Sequence, residues 1–149
     1  MRAAAIATWP AFLLVCNSAN FTMPDTPSIA PKPEQDYLAF LAQGRFMIQR
    51  SRSSGRHVFY PRVAEPRTGA TDLEWVPASG FGTVYATSVV RQRDPAQHYN
   101  VALIDLVEGP RMMSRVESIA PDAVRIGMKV QARIAPEGDG FIVVFDPVA

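Results

Sequence analysis

The sequence predicts a mainly β protein: a five-stranded barrel, preceded by a short N-terminal helix and a ribbon-shaped loop region. Three observations carry that expectation. Short runs of alternating apolar and polar residues recur from residue 79 onward. Thirteen prolines and nine glycines in 149 residues reverse the chain too often for long helices. A helical period occurs early, over about three turns, and strand patterns then take over. The length suits one ordinary domain, or one domain with a small appendage. A formal net charge of +1 supplies no global field for nucleic acid or an anionic membrane. Cys16 is the single cysteine, so an internal disulfide is excluded, and no Cys/His set has zinc spacing.

Residues 1–33 read as a disordered leader. An apolar run over residues 3–16 follows Arg2 and leads into small residues, which loosely resembles a secretory signal. Pro10 interrupts it, and it is too short to cross a bilayer as a helix. A start at Met23 is the preferred reading, because "MPDTPSIAPKPEQ" is polar and proline-rich, like an ordinary soluble terminus. That start implies a cytoplasmic protein, whereas a true signal implies a secreted β-barrel protein.

Residues 34–44, "EQDYLAFLAQG", form an amphipathic helix with acidic residues at its start and Gly44 as its stop. Tyr37, Phe40 and Leu41 make a face that either docks on a partner or caps the protein's own barrel. "RFMIQR" is strand-like and opens the ribbon region, residues 45–76. "LEWVPASG" reads as a connector.

Residues 77–149 hold the barrel. "GFGTVYATSVVR" is a long first strand, with Val84, Ala86, Ser88 and Val90 on one face and glycines that let it bend. "RDPAQH" is a turn-rich loop, "YNVALIDLV" the second strand, "EGPR" a tight reversal and "RMMSRVES" the third strand. "IAPDAVRIGM" is a longer link with one helical turn. "KVQARIA" points Val130, Ala132 and Ile134 inward, and "PEGDG" turns the chain into "FIVVFDP". Five strands with a non-hairpin link between the third and fourth suit a small OB-type barrel. An open sheet or a sandwich would give a similar string.

Between helix and barrel, "QRSRSSGRHVFYPRVAEPRTGATDLEW" has the rhythm of two metal-binding knuckles without a cysteine in either. Taken in order, "GRFMIQR", the two knuckles around "YPR", "SGFGTVY", "ALIDLVEGPRMMSRV", "IGMKV" and "FIVVFDP" resemble the zinc-ribbon/OB-fold family of acyl-CoA-associated proteins (domain of unknown function 35). The resemblance runs over residues 36–147. It implies an OB fold carrying a rubredoxin-like zinc ribbon whose two C-x-x-C pairs fall on Ser51 and Ser54 and on Glu65 and Thr68. All four thiolates are replaced, while Gly55, Pro66 and Gly69 persist. Neutral hydroxyls and one carboxylate are poor substitutes for four soft zinc ligands, so a degenerate, metal-free ribbon is expected. It implies no zinc, and any contact with coenzyme A is left open.

The same region is basic: Arg45, Arg50, Arg52, Arg56, Arg62 and Arg67 are set against Glu65. Of these, Arg45, Arg50, Arg52, Arg56 and Arg62, with Tyr60, are candidate contacts for a partner or an anion, since the guanidinium fork pairs with phosphate or carboxylate. Single-stranded nucleic acid is an alternative ligand for an OB fold, but the second and third strands offer Tyr99 as their one aromatic platform. Catalysis is not expected. His57 and His98 lack the context of a triad or metalloprotease helix, and "SGFGTVY" opens a strand where a phosphate cradle must open a helix. The resemblance implies a non-catalytic accessory subunit of a thiolase-like, hydratase or aldolase enzyme, in lipid or sterol-type acyl-CoA metabolism.

Overall fold

The computed structural model of the protein describes residues 31–148. The readings that concern the leader, Cys16 and Met23 fall outside the described residues. Among those described, no helix is long and apolar enough to cross a membrane.

Helix α1 spans Pro33–Ala42. Proline at the first turn loses no helical hydrogen bond, and Glu34 and Asp36 complement the positive end of the helix dipole. Gly44 ends it at φ +72°, a conformation that favours glycine. Tyr37 and Leu41, one turn apart, are both buried. The helix face expected to choose between a partner and the barrel therefore covers the protein's own core. Phe40 lies edge-on to Trp75 at 5.2 Å, and Leu38 points outward.

Three short strands follow: β1 Met47–Ser51, β2 His57–Val58 and β3 Leu73–Pro77, in the order β2-β1-β3, all antiparallel. The "LEWVP" segment, expected as a connector, is β3 and pairs residue for residue with β1. Pro77 disguised it. Proline is tolerated at the end of an edge strand, where its missing donor disturbs nothing.

The remaining strands are β4 Phe81–Val90, β5 Tyr99–Leu106, β6 Arg111–Ser114, β7 Lys129–Glu137 and β8 Gly140–Pro147. They form one strongly curled antiparallel sheet in the order β6-β5-β4-β7-β8. Curling brings β8 back against the chain just after β6, in a parallel bridge between Val116 and Phe145. The Glu117 amide donates to the Phe145 carbonyl at 2.7 Å, and the Phe145 amide to the Arg115 carbonyl at 3.0 Å. This is the OB-type architecture expected from the strand pattern.

Strand β4 departs from its simple alternation. A bulge between Val84 and Ala86 shifts the register, so that Thr87 faces buried Ala102 and Val89 faces buried Asn100. The expected face of Val84, Ala86, Ser88 and Val90 is thus broken at Tyr85, because the extra residue flips every later side chain. Gly82 has a separate reason to be glycine: a Cβ there would meet Ile104 Cγ2 at 2.5 Å and the Asp105 carbonyl oxygen at 3.1 Å. Strand β7 keeps its expected alternation, with Val130 buried and Lys129, Gln131 and Arg133 exposed. One apolar core joins all parts: Tyr37 and Leu41 from α1, Ile48 from β1, and Val84, Ile104, Val130 and Phe145 from the barrel.

Candidate functional site

The two knuckles are copies of one backbone turn. In the first, the Gly55 amide donates to the Ser51 carbonyl at 2.9 Å and the Ser51 amide to the Arg56 carbonyl at 2.9 Å. In the second, Gly69 donates to Glu65 and Glu65 to Ala70, both again at 2.9 Å. The glycines match as well, at φ +69° and +72°. The side chains repeat the pattern. The Arg56 amide donates to Ser54 Oγ at 3.3 Å, and the Ala70 amide to Thr68 Oγ1 at 3.2 Å.

The turns bring Ser51, Ser54, Glu65 and Thr68 into one cluster, centred on a carboxylate. Ser54 Oγ donates to Glu65 Oε2 at 2.9 Å and Thr68 Oγ1 donates to the same oxygen at 2.8 Å. Ser51 Oγ gives its proton to Asp72 Oδ1 at 3.0 Å, and the Ser53 amide donates to Asp72 Oδ2 at 2.7 Å. Ser51 and Glu65 are both buried. The hydrogen bond from Thr68 is the largest cause holding the Glu65 carboxyl below its ordinary value of 4.5; burial opposes it, while Ser54, Ser51 and the Arg56 charge add to it. Asp72 is held low in the same way, chiefly by Ser53.

Zinc does not fit this donor set. The hydroxyl protons of Ser54 and Thr68 are aimed at Glu65, and that of Ser51 at Asp72, so their oxygens are hydrogen-bond donors in a network rather than anionic ligands. Among the described residues, no group of three His, Cys, Asp or Glu side chains converges on a point.

The arginines do not act as one patch. Arg50 and Arg52 both bind Glu74, at 2.5 Å and 3.0 Å, and their hydrogen bonds hold that carboxyl low. Glu65 is thus not the sole acidic counterweight to the arginines: Asp72 and Glu74, whose acidic side chains just past the second knuckle are the signal in the sequence, are two more. Arg45 lies over the Phe40 ring at 5.4 Å, and the Tyr60 hydroxyl donates to Glu34 at 3.0 Å. The Arg62 backbone is clamped by buried Gln49, whose Oε1 accepts from its amide at 2.6 Å and whose Nε2 donates to its carbonyl at 2.9 Å. Among the described residues, the guanidiniums of Arg56, Arg62 and Arg67 have no ion pair.

Two concave surfaces flank this cluster. A cleft of about 350 Å³ lies between the knuckles and the β5–β6 turn, lined by Arg56, His57, Arg67 and Arg111 among others. An apolar groove of about 460 Å³ lies next to it, between α1, the Phe59–Tyr60 segment and strands β6 and β8. Arg111 and Phe59 line both.

The remaining candidates separate. Ser54 donates to Glu65 and not to His57, and His98 is a loop residue whose Nε2 lies 3.2 Å from the Gln92 carbonyl. Asp105 is half-exposed and bound by Arg111 through two hydrogen bonds, at 2.6 and 3.0 Å. The Arg111 guanidinium also lies 3.3 Å from the centre of the Tyr85 ring. Tyr85, like Tyr99, is thus an exposed aromatic of the barrel strands.

Comparison with known proteins agrees with this geometry. The family described as ChsH2, C-terminal OB-fold domain, matches residues 75–135. A chain of the Ltp2-ChsH2(DUF35) aldolase structure is 31% identical, with a TM-score of 0.70 over 83% of this chain and 99% of that one. A DUF35 domain-containing scaffold protein of Methanocaldococcus jannaschii is 34% identical over 82 residues, half of this chain and 58% of that protein. A probable enoyl-CoA hydratase alpha subunit of Thermomonospora curvata is 37% identical over 91 residues, 59% of this chain and 28% of that protein. The chain thus spans 28% and 58% of the length of these two curated relatives. An OB barrel that closes through Val116 and Phe145, together with these matches, means that the chain belongs to the DUF35 OB-fold family.

Proposed function

We propose that this protein is a non-catalytic accessory subunit of an acyl-CoA enzyme, with a thiolase-like partner and a role in lipid or sterol-type acyl-CoA metabolism. The observation that carries the reading is the likeness to the aldolase chain over nearly that chain's whole length. The side-chain chemistry is compatible with it. The nucleophile-type hydroxyls of the knuckles are occupied in holding Glu65 and Asp72, and neither described histidine is paired with a serine. Partner contact falls to the outward groups, Arg62 and Leu38 among them, because Tyr37 and Leu41 are committed to the core. A cytoplasmic location goes with this reading.

The test is co-expression with thiolase-like enzymes of the source genome, followed by size-exclusion chromatography with light scattering. A complex of defined stoichiometry, active only as the complex or more stable in it, is the expected result. If the protein elutes alone and instead binds a fluorescent single-stranded oligonucleotide with steep salt dependence, the nucleic-acid alternative replaces it.

A further inference from the structure

We propose that the open seam of the barrel, between β6 and β8, takes up an extended segment of a second protein, whose backbone adds as a strand to β6 and whose acidic residues reach Arg56 and Arg67. The inference stands apart from the function proposed above, since the segment is identified by its chemistry and not by the protein that carries it.

Hydrogen-bond parity defines the free edge. In an antiparallel pair, alternate residues turn both backbone groups toward the partner strand, and the residues between them turn theirs away. The Leu106 amide donates to the Pro110 carbonyl at 3.0 Å. At that register Met112 and Ser114 also bond β5, and Arg111 and Met113 turn their groups outward. On the other side, the Val148 amide donates to the Lys129 carbonyl at 2.9 Å. The same count then turns Phe141, Val143 and Phe145 away from β7. Phe145 meets the chain after β6, at Arg115 and Glu117. Among the described residues, the single hydrogen bond from β6 to β8 runs from Ser114 Oγ to the Val143 carbonyl, at 2.7 Å. The seam is thus closed at Ser114 and open from Met113 back to Arg111. Among the described residues, the backbone amides and carbonyls of Arg111 and Met113 have no partner.

A row of unpaired N–H and C=O groups is a template for one more strand. A helix cannot use it, because its own backbone groups are already paired. The edge is also recessed, with β8 on one side and α1 with Phe59 and Tyr60 on the other. A lone extended segment enters there, whereas the edge strand of a folded second copy does not. Side chains of an added strand alternate between two faces, and the groove meets them with Met113, Leu38 and Phe141, 70%, 47% and 39% exposed.

Charge complementarity sets the other end of the segment. Arg111 and Phe59 line both the groove and the basic cleft, so a chain that leaves the seam past Arg111 enters the cleft. Arg56 and Arg67 line that cleft, and among the described residues neither guanidinium has an ion pair. Guanidinium forks left free in this way match carboxylates.

The experiment is amide exchange and chemical-shift titration by NMR on the full-length protein. The probe is a synthetic acetylated peptide of alternating valine and threonine that ends in two glutamates. In the free protein, the Arg111 and Met113 amides should exchange about tenfold or more faster than those of Met112 and Ser114, which β5 holds. The peptide should bind below about 1 mM and slow exchange at Arg111 and Met113. The same peptide N-methylated throughout has lost its donors and should bind about tenfold or more weaker. A version ending in two lysines should also weaken by about tenfold or more, and Arg56→Ala with Arg67→Ala should erase that preference. Met113→Pro removes one outward N–H without touching the bonds to β5, so it should fold, as circular dichroism checks, and bind about tenfold weaker. The proposal is overturned if no peptide binds, if the N-methylated or lysine-ended peptide binds as well, or if the free monomer already protects Arg111 and Met113 like their neighbours. Protection that grows with protein concentration, alongside a dimer in light scattering, assigns the edge to a second copy and overturns it too. An enzyme complex without peptide binding removes the seam site alone, and peptide binding without a complex leaves it standing.

Discussion

The barrel and the knuckle region are held by different kinds of force, although one core runs beneath both. In the barrel, Phe145, Ile104, Val130 and Val84 are essentially inaccessible to solvent, and position is fixed by many small, non-directional contacts. In the knuckle region, three of the four buried polar residues of the described chain occur together: Gln49, Ser51 and Glu65. Position there is fixed by a few directed hydrogen bonds. The fourth, Asn100, uses the same device once inside the barrel. It clamps the Val116 backbone at 2.6 and 2.8 Å, as Gln49 clamps Arg62. Apolar packing gives most of the stability, and buried polar clamps choose which passing segment docks where. A packed core degrades gradually when trimmed, whereas a buried polar cluster leaves unpaired donors as soon as one member is lost.

Three substitutions test that contrast. The largest effect is expected from Phe145→Ala, which empties the core at the point where the barrel closes. It should cost about 3–5 kcal/mol in urea unfolding, and knuckle and barrel probes should fall together because the core is shared. Separate transitions would mean that the two regions are independent.

Glu65→Gln is expected to act locally. The amide offers a weaker acceptor to Ser54 and Thr68 and brings two donors into a buried site. Amide exchange over residues 51–70 should then accelerate by about tenfold or more, with the barrel amides unchanged. The pH dependence has a definite sign. Because the folded-state value of Glu65 lies below its ordinary 4.5, its contribution is fully present above that value and is lost as the pH falls through the lowered one. Asp72 behaves alike from its ordinary 3.8. Acid should therefore loosen the knuckles, and Glu65→Gln should flatten that phase. An acid transition identical in the variant would rule out Glu65 as its source.

The smallest effect is expected at the charged seam of the barrel. Arg115 and Arg133 both bind Glu117, and Arg133 also binds Asp146 at 2.8 Å. These groups are partly exposed, so Glu117→Gln should lower the melting temperature by only about one to three degrees. Added salt should shrink the difference further. A larger, salt-insensitive loss would show that the barrel also depends on a polar cluster.

The reach of the sequence was uneven for physical reasons. The helix, the order of the barrel strands and the inward side of β7 were legible because burial imprints a period on apolar residues. The four cluster positions were legible through the resemblance, since the glycines and prolines framing them remain where the thiolates do not. Strand β3 was hidden by its terminal proline, and the β4 bulge had no signal, because one extra residue changes no composition. Asp72 was visible as a residue but not as a partner of Ser51, which lies 21 positions away.

By itself the sequence determined that the chain folds into an OB-type sheet with a cysteine-free pair of knuckles, because local periodicity and turn residues are properties of neighbours. Only the tertiary structure decided what holds those knuckles: a buried carboxylate receiving hydroxyl protons from both turns, with Arg50 and Arg52 spent on Glu74 and Arg56 and Arg67 left facing a cleft. Hydrogen bonds and ion pairs depend on distances between residues far apart in the chain, and those distances exist only once the core has formed.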